Sequence, residues 1–400
     1  MNGFTYLMNQ AERGTCAANR LTSLEAVVSA HRFHAGMEGY CPTPLVSLEG
    51  QAKRLGLGAL LVKDESKRFG LNAFKVLGGS YAIAKYLCGK LDIPVDGNAF
   101  ALLCAPEAKA VLGEITFVTA TDGNHGRGVA WAAREFGHRA VVYMPKGTAA
   151  ERLENIRNLG AEAEIMPFNY DDAVRHANRM AEEHGWILVQ DTAWPGYEEI
   201  PTHIMQGYTT IAGEVEEQLR CRDLPRPTHL FLQAGVGSVA GGLTGYFAAQ
   251  WGENCPKVVI VEPDRADCLF RTAKANDGTI HFVTGDMDSM MAGLCCGEPC
   301  TISWDIIREC AAAFVSCGDG YAARGMQMLG HPLEGDEVVV SGESGAVTAG
   351  VVQGIMTEER LRPLREQLGL DETSCVLVIS TEGDTDQENY RKVLQGAYDL

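Results

Sequence analysis

The clearest hydrophobic pattern begins near residue 115. "ITFVTA" (115–120) is apolar and β-branched and reads as a buried strand. "NHGRGVAWAAREFG" (124–137) reads as a helix stopped by a glycine, "RAVVYMP" (139–145) as a strand stopped by proline, and "TAAERLENIRNLG" (148–160) as a helix with Thr148 at its N-cap. A short strand at 163–166, a helix over 170–184 and the strand "ILVQ" (187–190) follow. The alternation resumes with "THLFLQAG" (228–235), a helix over 238–250 and "KVVIVEP" (257–263). "EVVVSGESGAVTAGVVQGIM" (337–356) and "SCVLVIST" (374–381) are expected to supply two more strands. Strands alternating with helices predict βαβ units, hence an α/β fold with mainly parallel sheets flanked by helices. "RDLPRPTH" (222–229) reads as a connector between sub-domains. Ligands on such sheets sit beyond the carboxyl ends of the strands, so the loops after strands are where chemistry is sought.

One segment breaks the pattern. "GLNAFKVLGGS" (70–80) places Lys75 in a run that otherwise reads as buried. Lysine is almost never fully buried unless it is paired or chemically used. In an apolar pocket its ammonium form is disfavoured, which makes it a nucleophile.

Composition narrows the classes. The 400 residues, 46% hydrophobic and 22% charged, suit a globular chain with room for two domains. A net charge of −18 without a basic stripe argues against nucleic acid and anionic membrane surfaces as partners. No run of about 18 apolar residues is present, so no membrane span is expected. The start, "MNGFTYLMNQAERG", lacks the features of a signal peptide, and a cytoplasmic location is expected. The closest group among 13 cysteines is Cys295, Cys296 and Cys300, with no CxxC partner pair and no histidine at zinc-finger spacing. No metal site is expected. Buried thiols are, with a pairing of Cys268 to Cys295 or Cys296 left open.

Three loops after strands carry candidate chemistry. In "TATDGNHGRGVA" (119–130), Asp122, Gly123 and Asn124 sit where a strand turns into a helix, a place that favours an anionic group. In "LQAGVGSVAGG" (232–242), Gly235, Gly237, Ser238 and Gly241 open a helix as a phosphate cradle. That loop also satisfies G-x-G-x-x-A, and Glu262 ends the next strand, so a nicotinamide-dependent oxidoreductase is an alternative reading. "VISTEGDTD" (378–386) runs from a strand into hydroxyls, a glycine and acids.

Taken in order, "NAFKVLGGS", "TDGNHGRG", "AGVGSVAGG", "GESGAV" (342–347) and "STEGD" (380–384) resemble the fold-type II enzymes that use pyridoxal phosphate, the tryptophan synthase β and threonine dehydratase group. The resemblance spans roughly residues 40 to 390. Within that group, "SKRFGLNAFKVLGGSYA" (66–82), "TDGNHGRGVAWAA", "DTAWPGYEEIP" and "STEGDTD" are similar to the diaminopropionate ammonia-lyases. The dehydratases usually carry serine where this chain has Asp122. A carboxylate there suits a substrate whose leaving group is a second amine rather than a hydroxyl.

The resemblance implies a fold-type II architecture of two domains, each with a mainly parallel sheet: a large cofactor-binding domain of 1–90 and 205–400 and a small domain of 91–204. It implies a homodimer that eliminates ammonia from both D- and L-2,3-diaminopropionate, giving pyruvate and two ammonia. Lys75 would form the Schiff base with the cofactor and act as base for the L isomer, with Asp122 as base for the D isomer. Asp191 would hold the substrate amino group, with Thr121, Asp122, Gly123 and His125 also at the substrate. Phe74 and Asn124 would lie at the ring, Asn124 on its hydroxyl. Gly235, Val236, Gly237, Ser238 and Val239 would hold the phosphate, and Glu343 and Ser344 would edge the pocket. Thr381, with Ser380 as the adjacent alternative, would meet the ring nitrogen. A serine or threonine dehydratase on the same fold is the nearer alternative, and a cofactor-binding scaffold without catalysis a third.

Overall fold

The alternation of apolar and polar segments closes into two sheets. A computed structural model describes residues 3–121 and 123–397. Its strands, among the described residues, are β1 (Phe4–Met8), β2 (Leu45–Ser47), β3 (Ala59–Asp64), β4 (Thr116–Ala120), β5 (Arg139–Met144), β6 (Glu162–Ile165), β7 (Ile187–Leu188), β8 (His229–Gln233), β9 (Lys257–Pro263), β10 (Ala311–Cys317) and β11 (Cys375–Ser380). The seven-stranded sheet has the order β1-β10-β9-β8-β11-β3-β2 and the four-stranded sheet β6-β5-β4-β7. Only the edge strands β1 and β2 run antiparallel to their neighbours; every other pairing is parallel.

Parallel strands covered on both faces read as unbroken apolar runs, and β8 and β11 are buried at every position. Their side chains alternate between two cores. Leu230, Leu232, Ile260, Leu377 and Ile379 pack on one face, while Phe231, Val259, Val261, Val376 and Val378 pack on the other.

The helix Val76–Leu91 lies between the sheets and is packed closely by two others. A Cβ on Gly128 of the helix Asn124–Glu135 would lie 2.9 Å from Val76 Cα, and one on Gly207 of the helix Glu199–Cys221 would lie 2.5 Å from Leu77 O. Glycines on the two flanking helices thus permit backbone contact on both sides of the helix that begins after Lys75, which fixes where Lys75 stands.

Beneath that turn lies a buried charge cluster. Lys63 Nζ donates to Glu214 Oε2 at 2.6 Å, and Arg68 bridges both oxygens of Glu214 (2.7 and 2.8 Å) and of Glu65 (2.8 and 2.9 Å). All four side chains are at most 1% exposed.

Several expectations are corrected. Residues 337–342 form no strand: β11 already has β8 and β3 on its two sides, so no pairing position beside it is free. That segment instead enters the helix Glu343–Thr357, with Val338 57% exposed. Thr148 does not cap the next helix. The N-cap is Ala149, and the Thr148 hydroxyl donates to Pro145 O at 2.8 Å. Residues 222–229 do not connect the sheets but join the helix Glu199–Cys221 to β8. Cys268 is a free buried thiol, so it pairs with neither Cys295 nor Cys296. Among the described residues no helix is long and apolar enough to cross a membrane, and no group of side chains could hold a metal ion.

Candidate active site

Five loops converge because each leaves the carboxyl end of a parallel strand: Thr121 after β4, Asp191 after β7, the 234–237 loop after β8, Thr381 after β11, and, following β3, the segment leading to Lys75. The strand order reverses beside β8. The chain runs outward through β9 and β10, then returns as β11 on the other side. Ligands bind at such switch points. A cavity of about 570 Å³ opens there, within the size of small-molecule sites.

The geometry brings together nearly all the residues singled out from the sequence. Phe74, Lys75, Thr121, Asn124, His125, Asp191, Gly235, Val236, Gly237, Ser238, Val239, Glu343, Ser344 and Thr381 line the cavity. Gly123 does not; it caps the helix Asn124–Glu135, its N–H donating to Thr121 Oγ1 at 3.0 Å. Asp122 lies outside the described residues. Ser380 faces away, donating to Ser341 Oγ at 2.8 Å.

Lys75 immediately precedes the helix Val76–Leu91, and its side chain remains 21% exposed, toward the cavity. Its ammonium lies 5.5 Å from the Phe74 ring centre and donates to Asp191 Oδ2. Burial by itself would raise the Asp191 carboxyl, but the Lys75 ammonium, His125 and hydrogen bonds from Lys75 and Tyr170 hold it well below the usual carboxylate range. His125 Nε2 donates to Val189 O at 2.7 Å, since a carbonyl can only accept. Its Nδ1 lies 3.8 Å from Asp191 Oδ2.

The glycine loop ends at Gly237, the N-cap of the helix Ser238–Trp251. Gly237 has φ +98°, and a Cβ there would meet Ser303 Oγ at 2.9 Å, so both conformation and space exclude a side chain. No side chain caps this helix, which leaves its first N–H groups for an anion. Ser238 Oγ donates to Asp191 O, tying this loop to the one after β7.

At the end of β11, Thr381 Oγ1 lies 2.9 Å from Gln233 Nε2. Beside it, Ser344 Oγ is buried at the cavity wall with no hydrogen-bond partner. Glu343 accepts from Asn389 Nδ2 at 2.5 Å. Burial, followed by the charge of Glu382, pushes the Glu343 carboxyl up to about 7.

Several lining residues escaped the sequence reading. Glu382 accepts from Asn124 Nδ2 at 2.5 Å and stood inside the "STEGD" segment without a role. Tyr170 contributes its hydroxyl, 3.3 Å from Asp191 Oδ1. Arg152, Asn389 and Asp286 also reach the cavity, and nothing in their local sequence marks them.

The site suits pyridoxal phosphate. It offers a lysine open to a cavity for the aldehyde, an uncapped glycine-rich helix start for a phosphate, and neutral hydroxyls for a ring nitrogen. It does not suit a nicotinamide dinucleotide. Glu262, needed for a ribose, spends both oxygens on the N–H groups of Leu269 and Phe270 at 2.8 and 2.7 Å.

Comparisons with known proteins agree. The model of the pyridoxal-phosphate dependent enzyme family matches residues 37–379. Diaminopropionate ammonia-lyase of Salmonella typhimurium is 52% identical over 382 residues, 95% of each chain, and that of Escherichia coli 51% over 366 residues, 91% of this chain and 90% of its own. A crystal structure of the Escherichia coli enzyme in complex with D-serine superposes with a TM-score of 0.92 at 47% identity, covering 99% of this chain and 98% of that one. The chain belongs to the pyridoxal-phosphate dependent enzyme family, a fold-type II member within the group of the diaminopropionate ammonia-lyases.

Proposed function

We propose that this enzyme converts D- and L-2,3-diaminopropionate and water to pyruvate and two ammonia. The observation that carries the reading is the Lys75–Asp191 pair facing a cavity that also presents Asn124, Thr381 and the glycine loop. Pyridoxal phosphate, when bound, supplies an aldehyde for Lys75 and an electron sink for the carbanion formed at the substrate Cα.

The chain's own groups do the rest. The N–H groups of Gly235 to Val239 would hold the phosphate, Asn124 would donate to the ring hydroxyl, and the Thr381 hydroxyl would meet the ring nitrogen. A neutral partner there leaves that nitrogen largely unprotonated, which favours elimination over transamination. Lys75 would bond the aldehyde, and its Nζ, when free, would take the Cα proton of the L isomer. Asp122 would be the base for the D isomer. Asp191 is kept ionised beside Lys75 and pairs with the cationic amino group of the substrate. Thr121 and His125 would orient the substrate. The β-amine would leave with a proton as the first ammonia, and water would hydrolyse the released enamine to pyruvate and the second ammonia. In the same reading residues 91–204 form the smaller domain of a cytoplasmic homodimer.

The test is pyruvate release from purified enzyme given L- and D-2,3-diaminopropionate separately, beside L-serine and L-threonine. Pyruvate from both diaminopropionate isomers with little from serine is expected. Keto acid from serine or threonine alone would move the chain to the dehydratases.

A further inference from the structure

Glu382 ties together segments that otherwise belong to different parts of the chain. Its backbone forms an antiparallel bridge with Ala73, two residues before Lys75. Its carbonyl accepts from Gly342 N at 3.0 Å, and its Oε1 accepts from Ser344 N at 3.2 Å, so it also grips the start of the helix Glu343–Thr357. Its Oε2 accepts from Asn124 Nδ2 at 2.5 Å, across 258 residues of sequence and from the loop after β4 in the other sheet. The residue is 3% exposed.

We propose that Glu382 is a positioning residue of this enzyme: its carboxylate fixes the side-chain amide of Asn124 in the orientation that meets the cofactor's ring hydroxyl. This rests on the reading of Asn124 as the ring-hydroxyl partner. The argument is one of donors and acceptors. An ionised carboxylate only accepts, so Asn124 must turn its NH₂ toward Glu382 rather than its carbonyl. One N–H is spent there, and the other stays available to the cavity. A charge-assisted bond of this length holds the amide more firmly than a neutral one does. Glu382 is itself held by Ala73, Gly342 and Ser344, so the orientation of Asn124 is referred to the same frame that carries Lys75 and Thr381. Misplacement of an orienting group by about 1 Å costs up to about a hundredfold in rate.

The test is a double-mutant cycle on the holoenzyme, read by kcat, KM and the pH midpoint of the cofactor's near-visible absorbance. Asn124→Ala alone tests the role of Asn124: an unchanged spectrum and kcat would remove the ring-hydroxyl reading and this proposal with it. If that role stands, Glu382→Gln is expected to shift the absorbance midpoint and lower kcat about tenfold or more, with KM within about twofold. Made in the Asn124→Ala background, it should add nothing further. Multiplicative effects in the double variant, or a wild-type spectrum in Glu382→Gln, would overturn the proposal while leaving Asn124 in place. If Glu382→Gln does not fold, Glu382→Asp keeps the charge but shortens the reach. It should reproduce the spectral shift, and a wild-type spectrum would again overturn the proposal.

Discussion

The ammonium of Lys75 is hydrogen-bonded to the buried carboxylate of Asp191, and His125 Nδ1 lies 3.8 Å from the same oxygen. The pair answers how a lysine can stand in an apolar run: it is neither fully buried nor alone. It also ties the group proposed to bond the cofactor to the group proposed to hold the substrate amine.

Asp191→Asn should therefore damage both chemistry and stability. We expect kcat to fall by about two orders of magnitude, because the variant loses the negative charge that holds Lys75 and the substrate amine. For stability the sign is set by the lowered carboxyl. Its contribution is present above the unfolded value of 3.8 and fades as pH falls below it. Thermal unfolding of the two proteins should thus differ most near neutral pH, and the gap should begin to narrow as pH falls below 3.8 toward 3. A gap that stays constant down to that pH would show that Asp191 is not held ionised by its partners.

Glu343 works in the opposite sense. Its folded carboxyl is raised from 4.5 to about 7 by burial and by Glu382. The folded state binds the extra proton between those values, so the stability associated with it is full below pH 4.5 and is lost as pH rises through about 7. Glu343→Gln keeps a neutral group in place. It should match the wild type in acid and exceed it in melting temperature above pH 7. Parallel melting curves across pH 4 to 8 would contradict the raised carboxyl.

The sequence was most legible where local pattern and tertiary role coincide. The stretch 115–190 folds as expected into β4, β5, β6, β7 and their helices, because β4, β5 and the helices Asn124–Glu135 and Tyr170–His184 bury their own apolar faces. β10, "AAAFVSC", lacks that signature. Three alanines open it, and it is a strand because β1 and β9 sandwich it. "EVVV" carries the signature, but β11 already has β8 and β3 on its two sides, and the segment stays outside the sheet. The site divides in the same way. Lys75, Asn124, the glycine loop and Thr381 sit on short motifs tied to strand ends. Glu382 and Gln233 sit on the same strand-end motifs, but their partners lie more than 100 residues away, and Tyr170 and Asn389 reach the cavity through helix placement, which no local window contains.

The glycine loop, proposed to hold the phosphate, gives a test that separates binding from chemistry. Gly237→Ala would place a Cβ at φ +98° and 2.9 Å from Ser303 Oγ. Strain of about 1–3 kcal/mol is expected for a non-glycine residue in such a conformation. The cost should appear mainly as weaker pyridoxal phosphate binding, by about tenfold or more, in a fluorescence titration of the apoenzyme. At saturating cofactor kcat should largely recover, since Lys75 and Asp191 are untouched. Unchanged cofactor affinity would mean that the loop can relax around the added methyl.

The buried cluster of Lys63, Glu65, Arg68 and Glu214 poses a different question, because burying charges is costly even when they are paired. Glu214 is the pivot, accepting from Lys63, from both terminal nitrogens of Arg68, from the Tyr40 hydroxyl at 2.8 Å and from Thr43 N at 3.1 Å. Burial opposes its ionisation, yet Arg68 and Lys63 together hold it down at about 2. Its contribution is present above the unfolded value of 4.5 and is lost as pH falls toward about 2. Glu214→Gln leaves two buried cations sharing one carboxylate, and a loss of about 3–5 kcal/mol is expected in denaturant unfolding at pH 7. The cluster ties β3, the 65–70 turn and the helix Glu199–Cys221 together without reaching the cavity, so the folded fraction should keep its KM. A variant as stable as the wild type would mean that desolvation already cancels the attraction, leaving the cluster to specify how the turn before Lys75 packs rather than how firmly.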